Sequence, residues 1–577
     1  MKYGLFVFIL LSFLASARAQ TLGPVDTLKS SQRTFGSSDT LLEVMQGFAS
    51  TFYTGPQMLA LSPHHLLLPG LSYFSQQEFV KKPLMFSALP HLGFAYGFGS
   101  QGSQRLRLDY EQAFAKNTLF NLRYERWQRS GFIRADELRF SGLTATLHQK
   151  GKRHTIQACF QNASNDRQWA GGLQEYAQLG VVSLDLIPVV KESARTQNNQ
   201  YRTQLDLSYL LLGDSSQALS IRSVHLYEFK KRTYNEWGAL LDFYPQTFLN
   251  ADTCSDVFTQ QFLENRLGLD WASQKLSVTA LLGLKQREWA DAIFNYDTTE
   301  VNVYNQLAWR FGKQRLNHRN QLNLLGAGQG WHEQTRYTHT GSRFDITIEQ
   351  QFSNEWPDIF QRAYYSNLTA FSWQNLQKEQ LQQLRGQVAY QFKDLKIGLK
   401  VSAVSFKNVY RFDFSSMKWA TSGAYSAGNM FLLQPHFAYQ IKAWQLRTSY
   451  QFMASEVLSF LPQHTADIGL TWKGGVFKDQ RLKLQLKANV SYQSSFQALV
   501  FLPFIESLDW LACSANTVQN GFFNANVGAA IEVKTFRFFV NASNLGTFWS
   551  PAELSVFEGY PFAPLQIRLG LTWDFWN

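Results

Sequence analysis

Basic side chains recur at every second position in several segments of this 577-residue chain. Alternation of this kind places them on one face of a β-strand, opposite a face of apolar residues. An excess of bases on a face enclosed by a low-dielectric wall would attract anionic solutes. The bases that parity assigns to the polar face are Arg105, Arg107, Arg123, Arg202, Lys275, Lys285, Arg287, Arg343, Lys396, Lys400, Arg447, Arg481, Lys483, Lys487 and Arg568.

Acidic residues are fewer on the same predicted faces. Parity assigns six of them: Asp109, Glu125, Asp206, Asp345, Glu349 and Asp574. Two interpretations of the resulting excess of bases stay open. One is a preference for anions, and the other is a polar interior whose charges are paired or solvated.

The sequence offers little for catalysis or for metal binding. It contains no HExxH, GxSxG or P-loop motif, and His64-His65 is the one adjacent pair among 11 histidines. The three cysteines, Cys159, Cys254 and Cys513, show no metal-ligand spacing. We therefore expect no enzyme activity, no cofactor and no metal. Cys254 and Cys513 fall in predicted outer loops, where a disulfide or two unpaired thiols are both open.

The elements that position the charged side chains are predicted to be long strands. In segment 481–492 the residues Leu482, Leu484 and Leu486 alternate with bases and polar residues, which is a period of two rather than 3.6. Similar segments run to ten residues or more, longer than the usual soluble strand of roughly five or six. About ten tilted residues cross a bilayer. The pattern predicts an all-β transmembrane antiparallel up-and-down barrel of roughly 16–22 strands, with 22 as the best estimate.

The N-terminus carries the features of an export signal. Lys2 precedes an apolar run that is too short to span a bilayer, and Ala17-Arg18-Ala19 is a small-x-small cleavage site. We expect residues 1–19 to be a signal peptide and the mature chain to begin at about Gln20. Residues 20–87, which alternate weakly, are expected to form a periplasmic or lumen-contacting leader. The barrel is expected to occupy 88–577.

Composition agrees with a barrel in an outer membrane. The net charge is +11, and +9 after loss of Lys2 and Arg18, which in an exported chain suits anionic lipid and lipopolysaccharide rather than nucleic acid. Aromatic residues make up 15% of the chain. Outward aromatics such as Trp309, Trp472 and Trp573 fall at predicted strand ends, as interface belts require. Connections alternate between short turns and long loops, the latter near 163–199, 230–262, 407–430, 494–520 and 547–563.

Short motifs in the first strands and the last strand resemble a known family. Segment 108–114 reads LDYEQAF, Trp169-Ala170-Gly171-Gly172 follows, and Leu565–Asn577 alternates up to a terminal aromatic pair. This succession resembles the large putative porins of Bacteroidetes-type outer membranes. The resemblance implies an outer-membrane barrel with a presumed transport role and supplies no substrate. The terminal strand looks like the signal that outer-membrane assembly machinery reads.

The sequence leaves three functions open. The first is an outer-membrane porin-like channel for passive passage of small polar solutes, for which a preference for anions stays open. The second is a structural or assembly barrel that partners a secretion or surface-attachment system. The third is a TonB-type transporter barrel with a separate plug, since residues 20–87 are too few for a complete plug. A homo-oligomer or a periplasmic partner is compatible with each.

Overall fold

A single sheet of 22 antiparallel strands closes on itself to form a barrel. The computed structural model describes residues 89–576 except 116, 176–177, 179–181, 214–215, 292, 294, 327, 357–364, 370–376, 421–425, 459–460, 478–480, 499, 510–517, 550–554 and 558. Closure comes from the pairing of the first strand with the last, from His91 opposite Trp576 to Gly99 opposite Arg568. Because every strand has two neighbours, no edge is left with unpaired backbone groups, as a spanning structure requires.

The barrel strands are numbered β1–β22 in chain order. Their bounds are β1 His91–Gly99, β2 Ser103–Ala115, β3 Thr118–Arg129, β4 Leu138–Lys150, β5 His154–Gln168, β6 Arg195–Gly213, β7 Gln217–Trp237, β8 Thr253–Ser273, β9 Leu276–Ala290, β10 Asn295–Phe311, β11 Gln314–Leu325, β12 Gly330–Thr340, β13 Phe344–Glu355, β14 Glu379–Phe392, β15 Leu395–Lys407, β16 Gly428–Ile441, β17 Trp444–Ala454, β18 His464–Gly475, β19 Leu482–Gln493, β20 Phe522–Val533, β21 Phe536–Ser543 and β22 Gln566–Trp576. The predicted fold class and the best estimate of 22 strands are confirmed.

Short helices are confined to the connections. Three 3₁₀ turns occur in the described part, Ser100–Gly102, Leu240–Asp242 and Leu545–Phe548. No helix in the described ranges has the length and apolar character needed to cross a bilayer. The predicted signal peptide (1–19) and the predicted leader (20–87) lie outside the described residues.

Connections are short at one end of the barrel and long at the other. Two-residue turns join β10 to β11, β14 to β15, β16 to β17 and β20 to β21. Gly312, Lys393, Lys442 and Lys534 in these turns adopt positive φ, the conformation that tight hairpins of twisted strands require. The opposite end carries the long loops 169–194, 238–252, 356–378, 408–427, 494–521 and 544–565. By the rule for such barrels the short-turn end is periplasmic.

Strands β6, β7 and β8 extend well beyond one bilayer crossing, with 19, 21 and 21 residues. The predicted loop 230–262 is therefore too long, because β7 continues to Trp237 and β8 begins at Thr253. In these extensions both faces of the strands carry charged and polar residues. The apolar alternation therefore ends at the edge of the bilayer, although the hydrogen bonds between the strands continue beyond it. Cys254 accordingly belongs to β8, and its predicted position in a loop is wrong.

Apolar and aromatic residues cover the outer face of the barrel. Near the short-turn end, outward rings contact one another between neighbouring strands, including Phe344 with Tyr390 at 4.6 Å between ring centroids and Phe536 with Trp573 at 5.8 Å. Trp309, Trp444 and Trp573 are all exposed. These rings form the aromatic belt that anchors a barrel at a membrane interface.

Candidate functional site

The inner face of the barrel carries the charged residues that parity singled out. In register, Arg105 lies opposite Trp127, Arg107 opposite Glu125, and Lys400 opposite Gln434, all on the face away from the aromatic belt. The inward positions in strands include Arg105, Arg107, Arg123, Arg202, Lys285, Arg287, Lys396, Lys400, Arg447, Lys483, Lys487 and Arg568. Arg481 lies immediately before β19, outside the strand, and is exposed. The role of these residues in a pore stays a prediction.

One wall of the lumen, from β2 to β10, has its charges paired. Arg105 donates from Nε to Glu125 Oε1 at 2.8 Å, and Arg123 donates to Asp109 at 2.6 Å. Further round, Arg222 contacts Asp206 at 2.6 Å, Arg266 contacts Glu264 at 2.7 Å, and Arg287 contacts Glu300 at 3.1 Å. On this wall the interpretation of paired charges holds.

The facing wall, from β10 to β19, presents bases to the lumen. Nine inward bases on these strands are exposed: Arg310, Arg315, Arg319, Arg336, Lys396, Lys400, Arg447, Lys473 and Lys483. Asp345 is the one inward acid of these strands that is exposed to the same degree. Among the nine, Arg336 contacts the carboxylate of Glu349 at 3.7 Å and Lys483 contacts that of Glu532 at 3.6 Å. Exposed bases still outnumber exposed acids on this surface, which we call the basic wall.

The parity pattern in the sequence predicted fewer inward acids than the barrel contains. Those that it missed include Glu111, Glu228, Glu236, Asp256, Glu264, Asp270, Glu300, Glu355, Glu379, Asp467 and Glu532. Most lie in the long extensions of β7, β8 and β10 or near strand ends, where the apolar half of the alternation fades. Continuing the alternation of inward and outward positions into the polar ends of the strands would have identified these acids.

Loops of the outer end fold inward and form an apolar cluster, which we call the cap. Its members come from the connections after β5, β7, β15, β19 and β21, so they converge from around the rim. The buried cap residues are Trp169, Leu173, Ile187, Val189, Leu240, Tyr244, Phe412, Met417, Phe501, Leu502, Phe504, Ile505, Tyr560 and Phe562. Burying a side chain as large as Phe contributes about 1.5–3 kcal/mol, so the cluster holds these loops together.

The loop after β19 crosses the mouth of the barrel. Its hairpin, 500–502 paired with 507–509, carries Phe504 at its tip, and Phe504 is fully buried. The Phe504 ring packs edge-on against Tyr244 at 5.7 Å and against Phe412 at 5.3 Å. Arg232 of β7 donates from Nη2 to the carbonyl oxygen of Phe504. Because β7 and β19 are twelve strands apart in one direction and ten in the other, this hairpin reaches the far wall.

A buried ion pair fixes the loop after β5 to the same wall. The Lys191 ammonium contacts the Glu236 carboxylate and lies over the Tyr244 ring at 3.9 Å from its centroid. Glu236 also accepts hydrogen bonds from Tyr234 at 2.5 Å and from Tyr244 at 2.9 Å. Burial lowers the pKa of the Lys191 side chain from 10.5 to about 8, although Glu236 acts in the opposite direction.

The Trp169-Ala170-Gly171-Gly172 segment holds the loop after β5 against the loop after β21. Gly171 N donates to the Tyr560 hydroxyl at 2.9 Å, and Leu173 N donates to the Gly559 carbonyl at 2.6 Å. Gly172 has φ +100°, and a Cβ added there would lie 2.6 Å from the Cα of Gly559. Two backbones meet here at a distance that only glycine permits.

Of the two cysteines of the predicted disulfide, Cys254 lies on the inner face of the barrel. Cys254 is buried at the start of β8, and its thiol donates to Asp256 Oδ2 at 3.2 Å. Cys513, the second half of the predicted disulfide, lies outside the described residues. No group of three or more His, Cys, Asp or Glu side chains in the described ranges is arranged to hold a metal ion.

Comparisons with known proteins place this architecture among outer-membrane proteins. The model of a family described as "Putative porin" matches residues 87–577. No curated protein matches the chain. Solved structures with the same fold include the copper transporter OprC, with a TM-score of 0.61 and 11% identity over 86% of this chain and 82% of that one.

Two further structures extend the likeness. The iron transporter FrpB from Neisseria meningitidis has a TM-score of 0.59 and 10% identity, covering 85% of this chain and 83% of that one. BauA, the ferric preacinetobactin receptor from Acinetobacter baumannii, has a TM-score of 0.57 and 10% identity, covering 85% and 80%. At such identities the likeness concerns the barrel alone.

Proposed function

Given that the chain belongs to the putative porin family, we propose that this outer-membrane β-barrel is a channel for small polar solutes that prefers anions and opens by displacement of its cap. The observation that carries the proposal is the basic wall, where nine exposed inward bases share the lumen surface with one exposed acid. Rings of bases in a pore wall favour anions because their potential adds inside a low-dielectric enclosure.

The distribution of charge supports a solute path rather than a solid interior. Lys396, Lys400 and Arg447 are exposed although they point into the barrel, so water reaches them. Buried and tightly packed bases would have required acidic partners, as on the wall from β2 to β10. The cap lies at the outer end, so the proposal requires the hairpin at 500–509 to leave the far wall when solutes pass.

Reversal potentials of the purified full-length chain in planar bilayers test this function. With a tenfold KCl gradient we expect the reversal potential to have the sign of the chloride equilibrium potential. Cation preference, the absence of any preference, or the absence of conductance after cap-loosening substitutions would contradict the proposal. A structural or assembly barrel predicts the last outcome.

A second candidate is a transporter barrel whose plug is a separate protein. Its support is the strand number, since 22-stranded outer-membrane transporters hold a plug in the lumen, and the likeness in fold to OprC and FrpB. This candidate predicts that a periplasmic protein co-purifies with the barrel and suppresses its conductance. Conductance that is unaffected by every co-purifying component would favour the simple channel.

A further inference from the structure

The outer face of the barrel carries polar residues within its apolar band. On β9 the outward residues Leu276, Val278, Ala280, Leu282 and Leu284 define the depth of that band. Along one row of the sheet, Asn305 of β10 pairs with Ala280, the central residue of the five. The same row continues through Asn320 of β11 to Glu333 of β12. On β12 Glu333 lies between the outward rings of Trp331 and Tyr337, so it too is within the apolar band.

Two more polar residues lie on the same outward face, two residues nearer the periplasmic end of each strand. His318 of β11 pairs there with Thr335 of β12, and its Nδ1 lies 2.9 Å from the Thr335 hydroxyl. His318 Nδ1 also lies 3.8 Å from a carboxylate oxygen of Glu333. We call these five residues, Asn305, His318, Asn320, Glu333 and Thr335, the belt patch.

The belt patch is open to the surroundings of the barrel. The His318 side chain is 35% exposed and the Glu333 side chain is 33% exposed. The amide oxygen of Asn320 is itself buried, and within the described part of the chain it accepts no hydrogen bond. Lipid tails offer neither donors nor acceptors, so a carboxylate and two amides at this depth are unfavourable against lipid.

Other sectors show that this barrel can build a clean lipid-facing surface. The outward residues of β20, β21 and β22 are all apolar or aromatic, from Phe523 to Phe575. A smaller outward group, Ser223, His225 and Asn265, is hydrogen-bonded within itself at 2.8 and 2.7 Å and contains no carboxylate. The belt patch differs from this group because it contains a carboxylate, that of Glu333.

We propose that the belt patch is a protein interface within the membrane, and that its partner is the belt patch of a second copy of this chain. The patch is self-complementary because it holds a carboxylate acceptor, an imidazole and two amides that both donate and accept. A two-fold axis through it brings His318 of one copy to Glu333 of the other, and it pairs the amides of β10 and β11 across the axis.

The surroundings of the belt patch suit such a contact. Leu307, Leu322, Tyr337, Ile348 and Phe352 occupy neighbouring outward positions, and Phe352 stacks on Trp331 at 4.2 Å. Gln350, opposite Thr335, is the polar member of this rim on β13. Such a rim excludes lipid and water from a polar centre, so the hydrogen bonds across the axis form in a low-dielectric setting. This inference does not depend on whether the lumen conducts.

Photo-cross-linking in outer-membrane vesicles tests the interface on the full-length chain. Leu322 is replaced by p-benzoylphenylalanine in one sample, and Leu571, in the apolar sector of β22, is replaced in the control. We expect ultraviolet light to give an adduct of twice the chain mass at position 322 and none at position 571. Failure to form an adduct at 322, or an adduct with a different protein, overturns the proposal.

A variant separates association from folding. In the double variant His318→Leu and Glu333→Leu the outward face becomes lipid-compatible, so the single barrel remains folded, as heat-modifiable gel migration would show. We expect co-purification of two differently tagged copies to fall at least tenfold, whereas Thr448→Leu on β17 leaves it unchanged. Unchanged co-purification of the double variant, or equal loss in both variants, overturns the proposal.

Discussion

Arg232 on β7 and Glu506 in the loop after β19 form an ion pair, with Arg232 Nε 3.6 Å from Glu506 Oε2, although they belong to opposite walls of the barrel. Both side chains are largely buried, at 10% and 8% exposure. Glu506 also lies 3.3 Å from the amide nitrogen of Asn198 on β6. The tip of the hairpin is thus held by polar contacts with the far wall as well as by the burial of Phe504.

Loss of this ion pair is expected to favour the open cap. In Glu506→Ala the Arg232 guanidinium loses its carboxylate partner inside a buried contact, which we expect to cost the closed cap about 2 kcal/mol. That corresponds to roughly a 30-fold change in the equilibrium between closed and open cap. Single-channel open probability measures it.

A matched control for Glu506→Ala is Glu192→Ala. Glu192 pairs with Arg134 in outer loops at 3.1 Å, but both side chains are more than half exposed. Exposed ion pairs contribute about 0–1 kcal/mol, so open probability should barely change. Equal effects of the two substitutions would contradict the view that the contact of Glu506 with Arg232 holds the cap closed.

The close approach of Gly172 and Gly559 predicts a steric effect of one methyl group. In Gly172→Ala the new Cβ meets the backbone of Gly559, so the loops after β5 and β21 must separate. We expect the free energy of cap closure to weaken by about 2 kcal/mol or more, since both strain and overpacking contribute. Limited proteolysis of the loop at 169–194 would report faster cleavage.

Gly238→Ala is the control for this substitution. Gly238 has φ +122°, but nothing lies within 4 Å of a Cβ added there. Its cost is therefore limited to the backbone strain of a positive φ. If Gly238→Ala accelerates cleavage as much as Gly172→Ala does, the effect is general backbone strain rather than contact between the two loops.

Burial of Lys191 predicts that cap closure depends on pH. The pKa of Lys191 is about 8 in the closed cap. Opening that exposes the ammonium to water is expected to return the pKa to the ordinary value of 10.5. Between these values the open form binds more protons, so closure becomes more favourable as pH rises from 8 to 10.5. Open probability should therefore fall over this interval and level off below about pH 7.

Substitution of the lysine isolates its contribution. Lys191→Met keeps most of the side-chain volume and removes the titrating group. We expect its open probability to be independent of pH between 8 and 10.5, whatever its absolute value. A wild-type open probability that rises over the interval, or a variant that retains the full wild-type slope, would rule out Lys191 as the source.

The basic wall predicts a graded change in ion selectivity. In the triple variant Lys396→Glu, Lys400→Glu and Arg447→Glu three exposed bases become acids on one stretch of the lumen surface. We expect the reversal potential in a KCl gradient to move toward cation preference, and to move more at low than at high salt because of screening. Arg105→Gln, on the wall with paired charges, should shift it far less. A triple variant with unchanged selectivity would show that the ion path avoids this wall.

The period-two pattern was sufficient to determine the class of fold. A residue such as Leu484 or Leu486 must be outward if Lys483 and Lys487 are inward, because parity along a strand admits no other arrangement. The length of the alternating segments then indicated a membrane crossing, and the 22-strand estimate followed from counting them. These conclusions depend only on residues close together in the chain, so a sequence pattern is sufficient to reach them.

Only the tertiary structure decided which charges are paired and what closes the mouth. Parity placed Arg123 inward, but its pairing with Asp109 depends on the register between β2 and β3. The contact of Arg232 with Phe504 joins residues 272 positions apart. Such contacts depend on curvature and closure of the whole sheet, which bring distant loops over one opening, and no periodicity within a segment records them.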